Sequence, residues 1–265
     1  MTNDLLKLVR EKKPLVHHIT NNVTVNDCAN ITLNTGGLPV MAYSLDEVHE
    51  MVRVAGALVL NIGTLNREQI KAMIKAGKAA NEAGVPVIFD PVGVGATTLR
   101  TESALEILKE VRVDIIKGNK AEINILAGHG GQIKGVESVG EYNNMEAAAG
   151  SLAKKYQCIA VASGPRDLVT DGKRIIWVAN GHELMGRVVG TGCMAASVLG
   201  CFAAVHEDKL KSSTAALVTF GIAGEIAAVK EGVKGPGSYK IALFDSMHNL
   251  DYEEIEKRMK IEMVV

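Results

Sequence analysis

Residues 57–90, ALVLNIGTLNREQIKAMIKAGKAANEAGVPVIFD, decide the fold. Ala57–Ile62 is a short apolar run ending around Asn61 and Gly63, as expected of a strand buried on both faces. From Arg67 to Ala83, Ile70, Met73, Ile74 and Gly77 recur at spacings of three and four, which draws one face of a helix. Val85–Asp90 (VPVIFD) then returns to a short apolar run. Strand, helix, strand in that order is the unit of a parallel sheet.

The same rhythm continues downstream. Glu102–Glu110 reads as helix, Val113–Lys117 as strand, Lys120–Ala127 and Met145–Tyr156 as helices, and Cys158–Ser163 as strand. The expected class is therefore α/β, with a mostly parallel central sheet covered by helices on both faces. After Ser163 the pattern changes: Asp167–Thr170 and Lys173–Val178 flank Asp171-Gly172, a hairpin turn signal. From Thr191 onward the chain reads almost wholly as helix, and apolar helical faces are also expected within 20–33 and 44–55. No composition shift or linker divides the chain, so residues 1–265 read as a single domain.

Composition narrows the function classes. The 265 residues carry 29 Lys+Arg against 30 Asp+Glu, a net charge of -1, with 47% hydrophobic and 22% charged residues. That much apolar surface supports a folded core and argues against disorder. The charge balance lacks the basic excess of a nucleic-acid or anionic-membrane binder, though a backbone nest can hold a small anion without many cations. The apolar stretches 191–205 and 214–229 are interrupted and fall short of the roughly 20 residues of a membrane span. Met1–Arg10 does not read as a secretory signal. Cys28, Cys158, Cys193 and Cys201 form no CxxC pair, and Cys193 and Cys201 on one helix would stand about 12 Å apart. A cytoplasmic protein with reduced thiols is the expectation.

Ligands of open α/β sheets bind beyond the carboxyl ends of the strands. Those ends carry Asn61-Ile62-Gly63, Asp90-Pro91-Val92-Gly93-Val94-Gly95, Lys117-Gly118-Asn119 with Glu122, and Ser163-Gly164. Acids, a lysine, hydroxyls and glycine-rich turns suit phosphoryl transfer with a magnesium ion: carboxylates orient its water shell and a cation meets the phosphates. Gly190-Thr191-Gly192-Cys193 opens an apolar helix whose first amides attract phosphate, with Thr191 the N-cap if the turn is only structural. Cys193 at that position is expected to have a lowered thiol pKa, but no partner base is identifiable, and it equally suits a pocket wall.

Other features carry less. Gly190-x-Gly192-x-x-Ala195 imitates a dinucleotide fingerprint but follows a loop and precedes helical sequence, and no phosphate-binding G-x-x-x-x-G-K-[ST] loop occurs. His17 and His18 point to opposite faces of a strand and form no metal pair; one of them is expected in the core or at an edge. Asn21–Asn30 reads as a capped helix start or as amides for a small polar ligand, and Met41 as core filler or ligand contact.

Taken together, Ile19-Thr20-Asn21 with Asn26, Leu38-Pro39-Val40-Met41-Ala42, the block 57–66, Asp90–Ala96, Gly118-Asn119 with Glu122, Asn180-Gly181-His182, Gly190–Cys193 and Gly235-Pro236-Gly237-Ser238 resemble hydroxyethylthiazole kinase, the thiamine-salvage enzyme. The resemblance keeps the same order from about residue 15 to 250, and the blocks 57–66 and 90–96 are its specific part. It implies a ribokinase-like α/β fold. It implies transfer of the ATP γ-phosphate to the primary alcohol of 4-methyl-5-(2-hydroxyethyl)thiazole, with magnesium, in a homotrimer whose active sites lie at subunit interfaces. By position it implies that Asn21, Met41 and Gly190 meet the thiazole, Lys117 and Ser163 meet ATP, and Asp90 and Glu122 organise the metal.

The chain departs from the familiar pattern in having Lys117 for Arg and Ser163 for Thr; Lys lacks the planar fork of Arg. Related ribokinase-like kinases carry Asp as general base where this chain has Cys193, so Gly190, Thr191 and Gly192 are read as an anion hole and Cys193 as a weak base or pocket wall. The runner-up reading is a related kinase of another heterocyclic alcohol, such as a hydroxymethylpyrimidine. An NAD-linked oxidoreductase and a non-catalytic thiazole-binding protein are the readings from other classes.

Overall fold

A computed structural model describes residues 2–128, 132–134, 137–139 and 144–264. The first half of the chain runs α1 (Thr2–Lys12), β1 (Leu15–Ile19), α2 (Val25–Thr35), β2 (Leu38–Val40), α3 (Val48–Arg53), β3 (Ala57–Asn61), α4 (Arg67–Ala83), β4 (Val87–Asp90), α5 (Thr98–Glu110), β5 (Ile115–Asn119) and α6 (Lys120–Ala127). After the small ribbon β6 (Gln132–Lys134) and β7 (Glu137–Val139) come α7 (Met145–Tyr156), β8 (Ile159–Ser163), β9 (Asp167–Thr170) and β10 (Ile175–Val178). A 3-10 turn (Glu183–Arg187) leads into α8 (Thr191–Ala203), α9 (Lys209–Ala228), α10 (Pro236–His248), α11 (Tyr252–Arg258) and β11 (Ile261–Val264).

Among the described residues one nine-stranded sheet has the order β11-β10-β9-β8-β5-β4-β3-β1-β2. From β8 across to β2 every neighbouring pair is parallel, and β9, β10 and β11 close one side as antiparallel strands. The alternation of side chains across each strand sorts the core into two layers. Val59, Ile88, Ile115 and Val161 face the layer built with α8 and α9, whereas Leu58, Leu60, Phe89, Ile116 and Ala160 face the layer of α4, α5 and α7. The central strands β3, β4, β5 and β8 are buried on both faces, which is why they read as apolar runs.

Local signals account for the helix limits. Asn66 accepts from the Gln69 amide at the start of α4, and Gly84 ends it in the left-handed region at φ +71°. Thr97 accepts from the Arg100 amide, so α5 begins four residues before the expected Glu102. The strand expected at Val113–Lys117 lies at Ile115–Asn119, carrying Lys117 nearer the middle of β5.

The region after Thr191 is almost wholly helical, as expected, apart from β11, which adds to the sheet edge, pairing antiparallel with β10 from Ile175↔Val264 to Val178↔Ile261. The side chains of β11 are exposed, so it lacks the apolar signal of a core strand. Both adjacent histidines, not one, are buried. His17 Nε2 lies 2.6 Å from the Ala42 carbonyl and His18 Nε2 lies 3.1 Å from Ser197 Oγ. Burial lowers both pKa values, that of His18 to about 4. Among the described residues no helix is long and apolar enough to cross a membrane.

Candidate active site

Register brings the strand ends together. Asn61 stands opposite Asp90, Phe89 opposite Ile116, and Asn119 opposite Ser163, so the exits of β3, β4, β5 and β8 share one edge. Asn61 is the hub. Its amide nitrogen donates to Asp90 Oδ2 at 2.9 Å and to Cys193 Sγ at 3.4 Å. Its oxygen accepts from Asn21 Nδ2 and from the Gly63 amide, both at 2.9 Å. The Asn21 oxygen in turn accepts from the Val23 and Thr24 amides and the Thr24 hydroxyl, fixing the turn that enters α2. Asn21 Nδ2 also reaches Cys193 Sγ at 3.3 Å, so two amide donors converge on the sulfur.

Asp90 is 1% exposed and Lys117 4%, and Lys117 Nζ lies 3.6 Å from Asp90 Oδ2. Burial pushes the Asp90 carboxyl above its ordinary range, opposed by Lys117 and Asn61. Burial works to lower the Lys117 pKa, but Asp90 and Glu122 outweigh it and hold the ammonium charged. Glu122 accepts from the Gly93 and Asn119 amides, each at 2.7 Å, and completes a capping box with Asn119 at the start of α6. Burial and the nearby Asp90 nevertheless push its carboxyl up to about 7. A further cation beside these two buried acids would favour their ionised forms.

The start of α8 meets this cluster. A Cβ built on Gly192 would lie 3.1 Å from Lys117 Nζ, so the first turn of the helix sits directly against the lysine. Gly190 is the N-cap, with φ +97°, and a Cβ there would come within 2.6 Å of Thr24 Cγ2. Both a left-handed backbone and a close approach therefore require glycine. Thr191 is not the N-cap: its hydroxyl donates back to the Met185 and Val188 carbonyls and ties the preceding 3-10 turn. The first amides of α8 have no intrahelical acceptor and present the positive end of the helix dipole.

Cys193 corrects a further expectation. Its thiol pKa is raised, not lowered, because burial and the Asp90 charge outweigh the hydrogen bonds and Lys117 that favour the thiolate. All four cysteines are free.

Ser163 ends β8 half-buried, its hydroxyl donating to the Gly118 carbonyl at 3.1 Å. Met41 follows the edge strand β2, which β1 and β3 separate from the strands carrying Asp90 and Lys117. α8 lies between a 3-10 turn and another helix, outside any strand–helix–strand unit, so the dinucleotide resemblance of Gly190–Ala195 has no structural counterpart.

Two residues outside the expected set hold the loops. Arg100 donates to the Ile62 and Gly63 carbonyls at 3.0 and 2.7 Å and to Val92 at 2.8 Å, clamping the exits of β3 and β4 to each other. Asp167 accepts from the Gly164 amide at 2.9 Å, and burial raises its carboxyl to about 6. An acid opening an apolar strand was the available signal for Asp167. Arg100, inside an ordinary polar helix turn, had none.

Among the described residues, no group of three or more His, Cys, Asp or Glu side chains is placed to hold a metal ion directly. Asp90 Oδ1 is buried without a hydrogen-bond partner. With Glu122 close enough to interact electrostatically, this orphan oxygen suits contact with a hydrated divalent cation.

Residues 6–253 match the hydroxyethylthiazole kinase family. A hydroxyethylthiazole kinase from Thermoanaerobacter sp. (strain X514) is 60% identical over 263 residues, covering 99% of this chain and 100% of that protein. The solved structure of a hydroxyethylthiazole kinase protein from Pyrococcus horikoshii is 44% identical, with a TM-score of 0.90 over 100% of this chain and 99% of that one. A ribokinase-like superfamily protein from Enterococcus faecalis, 12% identical with a TM-score of 0.67 over 93% of this chain and 94% of that one, shares the fold alone. A ribokinase-like sheet whose strand tips meet a glycine-opened helix, matched along nearly its whole length, identifies the chain as a member of the hydroxyethylthiazole kinase family.

Proposed function

We propose that the chain, acting as one kinase domain, transfers the γ-phosphoryl group of ATP to the primary alcohol of 4-methyl-5-(2-hydroxyethyl)thiazole, a step of thiamine salvage. The observation that carries this reading is the meeting of the α8 start with Lys117 and Asp90. A bond forms between the alcohol oxygen and Pγ, the bond from Pγ to the β-phosphate oxygen breaks, and the hydroxyl proton is released with ADP as leaving group. The transition state is loose and asks for positioning and charge stabilisation more than for a strong base.

In this reading the amides of Thr191, Gly192 and Cys193 hold the transferring phosphoryl oxygens, and Lys117 neutralises charge beside them. Asp90 and Glu122 would hold magnesium through its waters; when bound, the ion neutralises the nucleotide phosphates. Asn21 and Gly190 border the alcohol, and Ser163 borders the nucleotide. Cys193 remains a thiol and forms the pocket wall, since burial and Asp90 both oppose its ionisation.

A homotrimer accounts for Met41. Val23, Tyr43 and Val189 are exposed apolar side chains just after β1, just after β2 and just before Gly190. A neighbouring subunit packed there would cover that face and bring Met41 into a shared thiazole site. Free thiols support a cytoplasmic location.

The test is turnover of purified protein with ATP and magnesium against a panel of alcohols, read by mass spectrometry. The thiazole alcohol is expected to give the highest kcat/KM. A hydroxymethylpyrimidine with the higher value, or no phosphorylated alcohol at all, overturns the assignment.

A further inference from the structure

The Ser163 turn has a second lysine beside it. Lys120 is the first residue of α6, and its Cε and Nζ lie 3.1 and 3.8 Å from the position a Cβ on Gly164 would occupy. The half-buried side chain is therefore laid across backbone that glycine leaves bare. Two hydrogen bonds hold that turn: Ser163 Oγ donates to the Gly118 carbonyl, and the Gly164 amide donates to Asp167 Oδ1.

The two lysines of this edge differ. Lys117 is buried, 3.6 Å from Asp90 and against Gly192, so its charge is committed to the point where α8 begins. Lys120 follows the same strand, β5, but extends its side chain over Gly164 at the exit of the neighbouring β8, with the Asp167 carboxylate within electrostatic range. An ATP whose γ-phosphoryl lies at the α8 start and whose remainder runs over Ser163 passes Lys120 after Lys117.

We propose that Lys120 is a nucleotide-binding residue whose ammonium contacts the non-transferred phosphates at the Ser163–Gly164 turn, while Lys117 serves the transferring phosphoryl. This rests on the kinase reading above and divides the work of its cations. Asp167 positions the turn by holding the Gly164 amide.

The test compares K120M and K120R with the unaltered protein by calorimetric titration with ADP and with adenosine, alongside steady-state kinetics. K120M is expected to weaken ADP about tenfold, the scale of one charge-assisted phosphate contact, and to raise the KM for ATP in step. Adenosine affinity, kcat and the KM for the alcohol stay within about twofold, and K120R recovers most of the ADP affinity. Unchanged ADP affinity in K120M, or an equal loss for adenosine and ADP, overturns the proposal. Because the ADP-versus-adenosine comparison is read on binding alone, it is separate from turnover: absence of phosphoryl transfer by the unaltered protein would instead overturn the kinase reading.

Discussion

Gly190→Ala places a methyl group where the structure has no room for one. At φ +97° an alanine is held in the left-handed region, which destabilises by roughly 1–2 kcal/mol. The new Cβ would stand 2.6 Å from Thr24 Cγ2 and 3.2 Å from Thr24 Cβ, an overpacking that typically adds about 1–3 kcal/mol. The sum, about 2–5 kcal/mol, leaves a folded protein whose α8 start is pushed from Asn21 and Lys117. A displacement on the scale of an ångström from the reacting atoms lowers turnover about a hundredfold. Thr24→Ser removes the clashing methyl but keeps the hydroxyl that donates to Asn21 Oδ1. The double variant G190A/T24S should therefore regain the packing share of the stability loss and part of the turnover, retaining the backbone share. Urea denaturation and kcat/KM of the four proteins in this cycle provide the measurement. A G190A protein as stable and as active as the parent would refute the reasoning.

Cys193→Ala is expected to keep a measurable fraction of turnover, and Cys193→Asp to keep or raise it; complete loss in both folded variants would instead point to an indispensable thiol. For Glu122, the folded-state pKa of about 7 exceeds the ordinary value of 4.5, so the folded form binds more protons between those pH values. Stability from this group is fully present below about 4.5 and is lost as pH rises through 7, by an order of 3 kcal/mol at most. Unfolding free energies at pH 5 and pH 8 should differ more in the parent than in E122Q, and equal differences would contradict the burial argument.

Much of the fold is written in local pattern. The β3–α4–β4 unit is legible because its strands are apolar runs, its helix face recurs at three and four, and Asn66 and Gly84 cap that helix. The polar residues that end these apolar strands, Asn61 and Asp90, are legible as candidates because nothing in a buried strand otherwise calls for them. Their chemistry is less legible, since it depends on partners far along the chain. The Asn61 contacts to Asn21 and Cys193 span 40 and 132 residues. Cys193 is the clearest case. Its helix-start position, a local feature, lowers a thiol pKa, while burial and Asp90, both products of tertiary structure, raise it. β11 escapes notice because an exposed edge strand borrows its hydrogen bonds from β10 and needs no apolar face of its own. The strand order is likewise a long-range property, as β8 beside β5 and β1 between β3 and β2 illustrate.

The most direct test of the anion site is a crystal structure of the protein with ADP, magnesium, aluminium fluoride and the thiazole alcohol. The fluoride group, standing in for the phosphoryl in transit, should lie about 3 Å from main-chain nitrogens within residues 191–193, on the side facing Lys117. A fluoride group bound away from the α8 start, with those amides uninvolved, would contradict the account.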